Sequence, residues 1–127
     1  QSGSDLTIVA NGFSTLLAKN SLTKLNELKI STELIDLRIL NPINFRNILN
    51  SVKKTKRLLV IDGGWKSCGI GSEVIASIAE QVSKNNLKLK VKRLNIANSP
   101  APTSTILEKE YYPDIEAVIK SALELFQ

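Results

Sequence analysis

The most unusual stretch of this chain is Asp62-Gly63-Gly64-Trp65-Lys66-Ser67-Cys68-Gly69-Ile70-Gly71. Glycines ahead of a helix can turn backbone N–H groups toward an anion, so phosphate chemistry is the first thing to test here. The spacing argues against it. Gly69-Ile70-Gly71 runs into Ser72-Glu73-Val74, without the third glycine of a dinucleotide-binding turn. The stretch also follows the third expected strand rather than the first, and it lacks the Gly-Lys-Ser or Gly-Lys-Thr of a Walker loop. Glu73 would set a carboxylate at the helix start, stabilising the dipole and repelling a phosphate. A packed or interface loop is the favoured reading.

Other reactive groups are few. The 127 residues include no His, which excludes Ser-His and Cys-His nucleophiles and any imidazole metal site within this chain. Cys68 is the sole cysteine, so neither a disulfide framework nor a thiolate zinc site can form. Lys66 and a helix N-terminus could activate Cys68, but without a base it reads as a small, semi-buried residue. Asp36 and Arg38 end the second expected strand and could hold a substrate group. An ion pair or loop hydrogen bonds shaping the turn into Pro42 is the favoured reading for them. Trp65 is either an anchor on the domain face or a lid over the local core. Glu108, Tyr111 and Tyr112 are accounted for by capping and packing before the last helix. No acid–base pair assembles from the sequence.

These residues need elements to position them. Leu6 to Ala10 is a buried strand broken by Asn11-Gly12. Ser14 is placed to cap a helix burying Leu17, Ala18, Ser21, Leu22, Leu25 and Leu28. Thr32 to Leu37 is a second strand, and Asn44 can cap a helix with Phe45, Ile48, Leu49 and Val52 inward. Leu58 to Ile61 is a third strand, ending at Asp62-Gly63-Gly64. A helix from about Ser72 buries Val74, Ile75, Ile78, Ala79 and Val82, and Leu89 to Ile96 is a fourth strand. After a long loop the last helix starts near Pro113, in its first turn, with Ile115, Val118, Ile119, Ala122, Leu123 and Phe126 inward. Four strand–helix alternations with strands apolar on both faces require a parallel sheet covered on both sides. Right-handed crossovers restrict its topology, and 2-1-3-4 is the order expected. The crevice of such a sheet lies at the carboxyl ends where the order reverses, which puts Asn11 to Ser14 beside the loop from Asp62 to Gly71.

Composition agrees with one folded domain: 43% apolar, 23% charged, and ten Gly plus Pro residues. No apolar run approaches the ~20 residues that cross a bilayer, and no charged-then-apolar leader opens the chain. Seventeen basic against twelve acidic residues give +5, concentrated in Lys53, Lys54, Lys56 and Arg57 and in Lys84, Lys88, Lys90, Lys92 and Arg93. A solvated face is the favoured reading, and a surface for phosphates or an acidic partner the sharper one. With six aromatics and no recognition motif, nucleic-acid binding is a weak alternative. Met is absent, and Gln1-Ser2-Gly3-Ser4 looks like a tag remnant, so residues 5–127 are expected to be a domain from a larger protein.

Several stretches are familiar together in this order: Glu33 to Pro42, Ser51 to Trp65, Gly69 to Glu73, Pro100 to Ser104, Leu107-Glu108 and Tyr111 to Pro113. The chain resembles the carboxyl-terminal domain of the transketolase superfamily, most nearly that of the beta subunit of a thiamine-dependent 2-oxoacid (pyruvate or branched-chain) dehydrogenase. The resemblance implies a three-layer α/β/α fold whose extra antiparallel strand lies upstream. It implies a domain that binds no cofactor itself. Thiamine diphosphate and magnesium are held by the alpha subunit and the amino-terminal domain of the beta subunit, so this chain alone is expected to be inactive. Implied partners are the alpha subunit, a second beta subunit and the acyltransferase core, in the cytoplasm or an organelle matrix.

Trp65 and the turn from Gly69 through Gly71 to Glu73 are the expected contact residues, with Asp36, Arg38 and Asp62 at the crevice. Two departures stand out: Gly63 replaces a common acidic residue, and Ser72 a small apolar one. The equivalent domain of a transketolase, deoxyxylulose phosphate synthase or 2-oxoacid:ferredoxin oxidoreductase is the alternative within the superfamily. A stand-alone anion- or nucleic-acid-binding module is the alternative outside it.

Overall fold

The computed structural model describes residues 1–84 and 86–127. Strands β1 (Leu6–Ala10), β2 (Thr32–Asp36), β3 (Arg57–Trp65) and β4 (Lys90–Ile96) form one sheet in the order β2-β1-β3-β4, every pair parallel. This is the predicted order. Helices α1 (Phe13–Glu27), α2 (Phe45–Thr55), α3 (Ile70–Ser83), α4 (Thr105–Tyr111) and α5 (Ile115–Leu123) follow the strands, and a 3-10 turn, Glu124–Phe126, ends the chain.

Side chains alternate across a strand, so the central strands feed two cores. Leu6, Ile8, Leu59 and Ile61 pack with Leu25 of α1 and Val118 and Ala122 of α5. Val9, Leu58 and Val60 pack on the other face with Ile48 and Val52 of α2 and Val74 and Ile78 of α3. Five successive buried residues in β1 reflect this double coverage. The polar one, Thr7, faces α2, where its Oγ1 lies 2.7 Å from both Ser51 Oγ and Thr55 Oγ1. The three buried hydroxyls satisfy one another, so none carries the cost of an unpaired buried group.

Several expectations need correction. β3 does not stop at Ile61: it continues through Asp62-Gly63-Gly64 to Trp65, with an irregularity in its pairing to β4 between Asp62 and Trp65. Gly63 and Gly64 have no register partner on β4: the strand bulges at the two glycines, between Asp62 opposite Asn95 and Trp65 opposite Ile96, and resumes beyond them. Ser14 does not cap α1. Gly12 holds the cap position at φ +52°, which favours glycine, and Ser14 is buried inside the first turn. Asn44 sits at the α2 cap without a capping bond. α3 begins at Ile70, two residues before the expected start, and Ala79 and Leu28 are exposed.

The long loop contains a helix, α4, and Pro113 lies before α5 rather than in its first turn. Asp114 is the cap, its Oδ1 accepting from the Ala117 N–H at 2.8 Å. Edge strands β2 and β4 are only half covered, so burial on both faces holds for the two central strands alone. Residues 1–4, which read as a tag remnant, run along β2: the Leu34 N–H donates to the Gln1 carbonyl at 3.1 Å.

Candidate functional site

A cleft of about 560 Å³ opens at the carboxyl ends of β1 and β3, where the strand order reverses. Phe13, Ser14, Asp62, Gly63, Glu108 and Tyr112 are among its lining residues. The sequence places Asn11 to Ser14 and the Asp62–Gly64 segment together, and so does the fold. Phe13 starts α1 with 81% of its surface exposed, Leu16 one turn on is 51% exposed, and Tyr112 47%. The walls are therefore aromatic and aliphatic, without a converging set of charged groups.

Asp62 is the one buried carboxylate at the cleft among the described residues, and both its oxygens are used internally. Oδ1 accepts from the Gly64 N–H at 3.0 Å, and Oδ2 from the Gly71 N–H at 3.0 Å. The second bond brings a negative charge to the positive end of α3, the place an anionic ligand would take. Glu73 lies in the first turn of α3 as expected, and Asp62 adds a second carboxylate that bonds the helix start directly. Glu73 is exposed and accepts from the Ser77 hydroxyl at 3.0 Å. Gly69 is required by close approach: a Cβ there would lie 2.5 Å from both Asp62 Oδ2 and the Trp65 carbonyl oxygen. At Gly71 a Cβ would meet Val60 Cγ1 at 3.3 Å.

Trp65 is tied to the local structure at one edge and open to solvent at the other. Half its surface is exposed, yet its Nε1–H donates to Tyr111 Oη and to the Ser99 carbonyl, each at 3.2 Å. Tyr111 Oη in turn donates to the Ser99 carbonyl at 2.8 Å, and its ring meets Tyr112 edge-on at 5.0 Å. The indole thus ties the end of β3 to α4 while presenting surface outward. Asp36 and Arg38 form an ion pair at 2.9 Å one strand away, and Asp36 also accepts from Thr15 Oγ1 at 3.0 Å. That is the favoured reading, and neither residue lines the cleft. Cys68 is exposed at φ +58°, not semi-buried, because the short loop after β3 turns it outward.

Two residues escaped the sequence reading. Arg93 of β4 donates from Nη1 to the Lys66 carbonyl at 2.9 Å and to Ser72 Oγ at 2.6 Å, fixing the loop over the strand end. Asn95 donates from Nδ2 to the Gly64 carbonyl at 3.2 Å, while its buried Oδ1 has no partner among the described residues. No local signal marks these bonds; their partners lie 21 to 31 residues away.

A diphosphate with its metal does not fit this donor set. The α3 N-terminus is filled by Asp62, and no group of three or more His, Cys, Asp or Glu among the described residues could hold an ion.

Comparison with known proteins gives a consistent picture. The family described as "Transketolase, C-terminal domain" matches residues 1–118. The beta subunit of acetoin:2,6-dichlorophenolindophenol oxidoreductase of Bacillus subtilis is 32% identical over 97% of this chain and 36% of its own length. The mitochondrial pyruvate dehydrogenase E1 beta subunit of Bos taurus is 33% identical over 92% of this chain and 33% of its own. This chain therefore spans about a third of the curated relatives it matches. Among solved structures, a split-gene transketolase described as an inactive beta4 tetramer superposes with a TM-score of 0.80 at 22% identity, over 98% of this chain and 39% of that one. A 2-oxoglutarate:ferredoxin oxidoreductase of Magnetococcus marinus gives 0.61 at 11% identity, over 100% of this chain and 18% of that one. These two likenesses concern the fold.

Proposed function

Because this chain belongs to the transketolase carboxyl-terminal domain family, we propose that it is the accessory domain of a beta subunit in a thiamine diphosphate-dependent 2-oxoacid dehydrogenase. The identities near 30% with acetoin and pyruvate dehydrogenase beta subunits support this over the transketolase and ferredoxin-oxidoreductase alternatives. The thiamine diphosphate supplies the decarboxylation chemistry when bound elsewhere in the enzyme. This domain's residues supply contact surface.

The observation that carries the reading is the apolar rim of the cleft. A phenylalanine 81% exposed, on the same cleft as half-exposed Tyr112 and one helical turn from exposed Leu16, is costly to leave in water and suits a subunit interface. Phe13 and the outer face of Trp65 are assigned to contact with the rest of the beta subunit, the alpha subunit and a second beta subunit. Asp62 clamps the Gly69–Glu73 turn beside the cleft, and that turn, with Asp36 and Arg38, is assigned to the outer part of the contact. Docking to an acyltransferase core is a further role of the assembled enzyme. The setting is cytoplasm or organelle matrix, since the relatives include bacterial and mitochondrial proteins.

The test is Phe13→Ser in the full-length beta subunit, read by sedimentation velocity with its alpha partner. Dissociation is expected, with unfolding of the domain unchanged because the ring is exposed. Intact assembly would overturn the reading.

A further inference from the structure

Opposite the cleft, at the amino ends of β3 and β4, Lys56, Arg57, Lys88, Leu89 and Lys90 line a groove of about 480 Å³ with no acidic residue among them. The neighbouring lysines are neutralised: Lys54 pairs with Glu33, and Lys92 with Glu124. Lys56, Lys88 and Lys90 are exposed and enter no ion pair among the described residues. Arg57 is held in place by Leu125 and Asp5 carbonyls, with the Phe126 ring 4.2 Å beneath its guanidinium.

The groove lies at the amino end of an open strand. β4 pairs only with β3 among the described residues, so its outer edge has no ladder. The Lys90 N–H points inward, donating to the Lys56 carbonyl at 3.1 Å. By strand alternation, the backbone N–H and C=O groups of Val91 and Arg93 face the open edge. Lys90 and Lys92 project to one face of this edge, and Val91, 39% exposed, to the other.

We propose that β4 is a docking edge for an extended acidic segment of a partner protein, which adds as a further strand. Carboxylates at alternate positions would meet Lys88 and Lys90, and apolar residues between them would cover Val91. The peptide backbone would take up the free groups of Val91 and Arg93. The same lysines forbid the competing pairing: two copies of β4 edge to edge would set like charges opposite one another. Main-chain bonds then supply affinity, and charge supplies choice of partner. A stacking polyanion is less well matched, since the lining residues of the groove include no aromatic side chain.

The test titrates the chain with a ten-residue peptide alternating glutamate and valine at low salt, read by backbone amide shifts. Shifts confined to residues 88–93 and 56–57 are expected, with affinity falling as salt rises. Two variants separate the components. Lys88→Glu with Lys90→Glu reverses exposed charges and should weaken binding about tenfold or more. Val91→Pro removes an outward N–H, which an edge position tolerates, and should weaken binding similarly with every charge in place. Circular dichroism checks that each variant is folded; if the proline variant is not, the same peptide N-methylated at alternate backbone nitrogens keeps every charge, and unchanged binding of it would likewise overturn the proposal. Absent binding, binding indifferent to Val91→Pro, or equal binding of duplex DNA would each overturn the proposal. Phe13→Ser should leave peptide binding unchanged, so this result and the subunit-contact reading fail separately.

Discussion

Replacing Asp62 by Asn tests whether the cleft carboxylate is a structural clamp or a free ligand-binding group. Asp62 is 5% exposed, and each oxygen accepts one backbone N–H at 3.0 Å. Asparagine keeps one acceptor and turns an NH₂ toward an N–H. One charge-assisted bond, worth about 1.5–3 kcal/mol, is lost and a buried donor is left unpaired. The lost interaction with the α3 dipole adds about 0.3–1 kcal/mol. Asp62→Asn should therefore cost about 2–4 kcal/mol, and Asp62→Ala, which removes both acceptors, at least as much. In thermal melts the Asn variant should fall by about 10 °C for a domain of this size. Asp36→Asn, at the carboxyl end of β2, is the control: its exposed pair with Arg38 should be worth less than about 1 kcal/mol. Urea unfolding gives the free energies, and amide exchange at Gly64 and Gly71 locates the loss. If Asp62→Asn lies within about 0.5 kcal/mol of wild type and Gly71 keeps its protection, the carboxylate does not hold α3.

Gly69→Ala should be as damaging as Asp62→Asn, because its methyl would sit 2.5 Å from Asp62 Oδ2 and the Trp65 carbonyl; chemical denaturation checks this. Trp65→Phe removes the donor shared by Tyr111 and Ser99 and should cost about 1 kcal/mol in unfolding, with subunit association largely retained if the exposed ring face makes the contact. Thr7→Val leaves Ser51 and Thr55 without their shared partner and should cost about 1–3 kcal/mol by the same assay. Burial opposes ionisation of Glu33, but the Lys54 ammonium and the Ser51 hydroxyl outweigh it and hold the carboxyl below its ordinary value of 4.5. A depressed pKa contributes stability that is present above 4.5 and lost as pH falls through the folded value. Lys54→Gln should therefore be less stable than wild type near neutral pH, and the two unfolding curves should converge in strong acid.

Local pattern was enough for the frame. Two aliphatic runs, Leu6–Ala10 and Leu58–Ile61, can only be central strands covered on both faces, and the helical stripes between them leave few ways to wind the sheet. The order 2-1-3-4 is the expected one among those few, and the cleft position goes with it; the sheet itself fixes the choice. Tertiary contact decided the rest. Whether the chain turns or extends after Asp62 depends on β4, about thirty residues on, which pairs with Asp62 and again with Trp65 while the two glycines bulge between them. Ser14 resembles a cap but is buried because Gly12 takes the cap position at positive φ. Cys68 is turned outward by its loop, while Asp62, Arg93 and Asn95 find partners that no spacing rule connects to them. A side chain's hydrogen bond to distant backbone is fixed only once the sheet has brought both together, so these roles became visible in the fold and not before it.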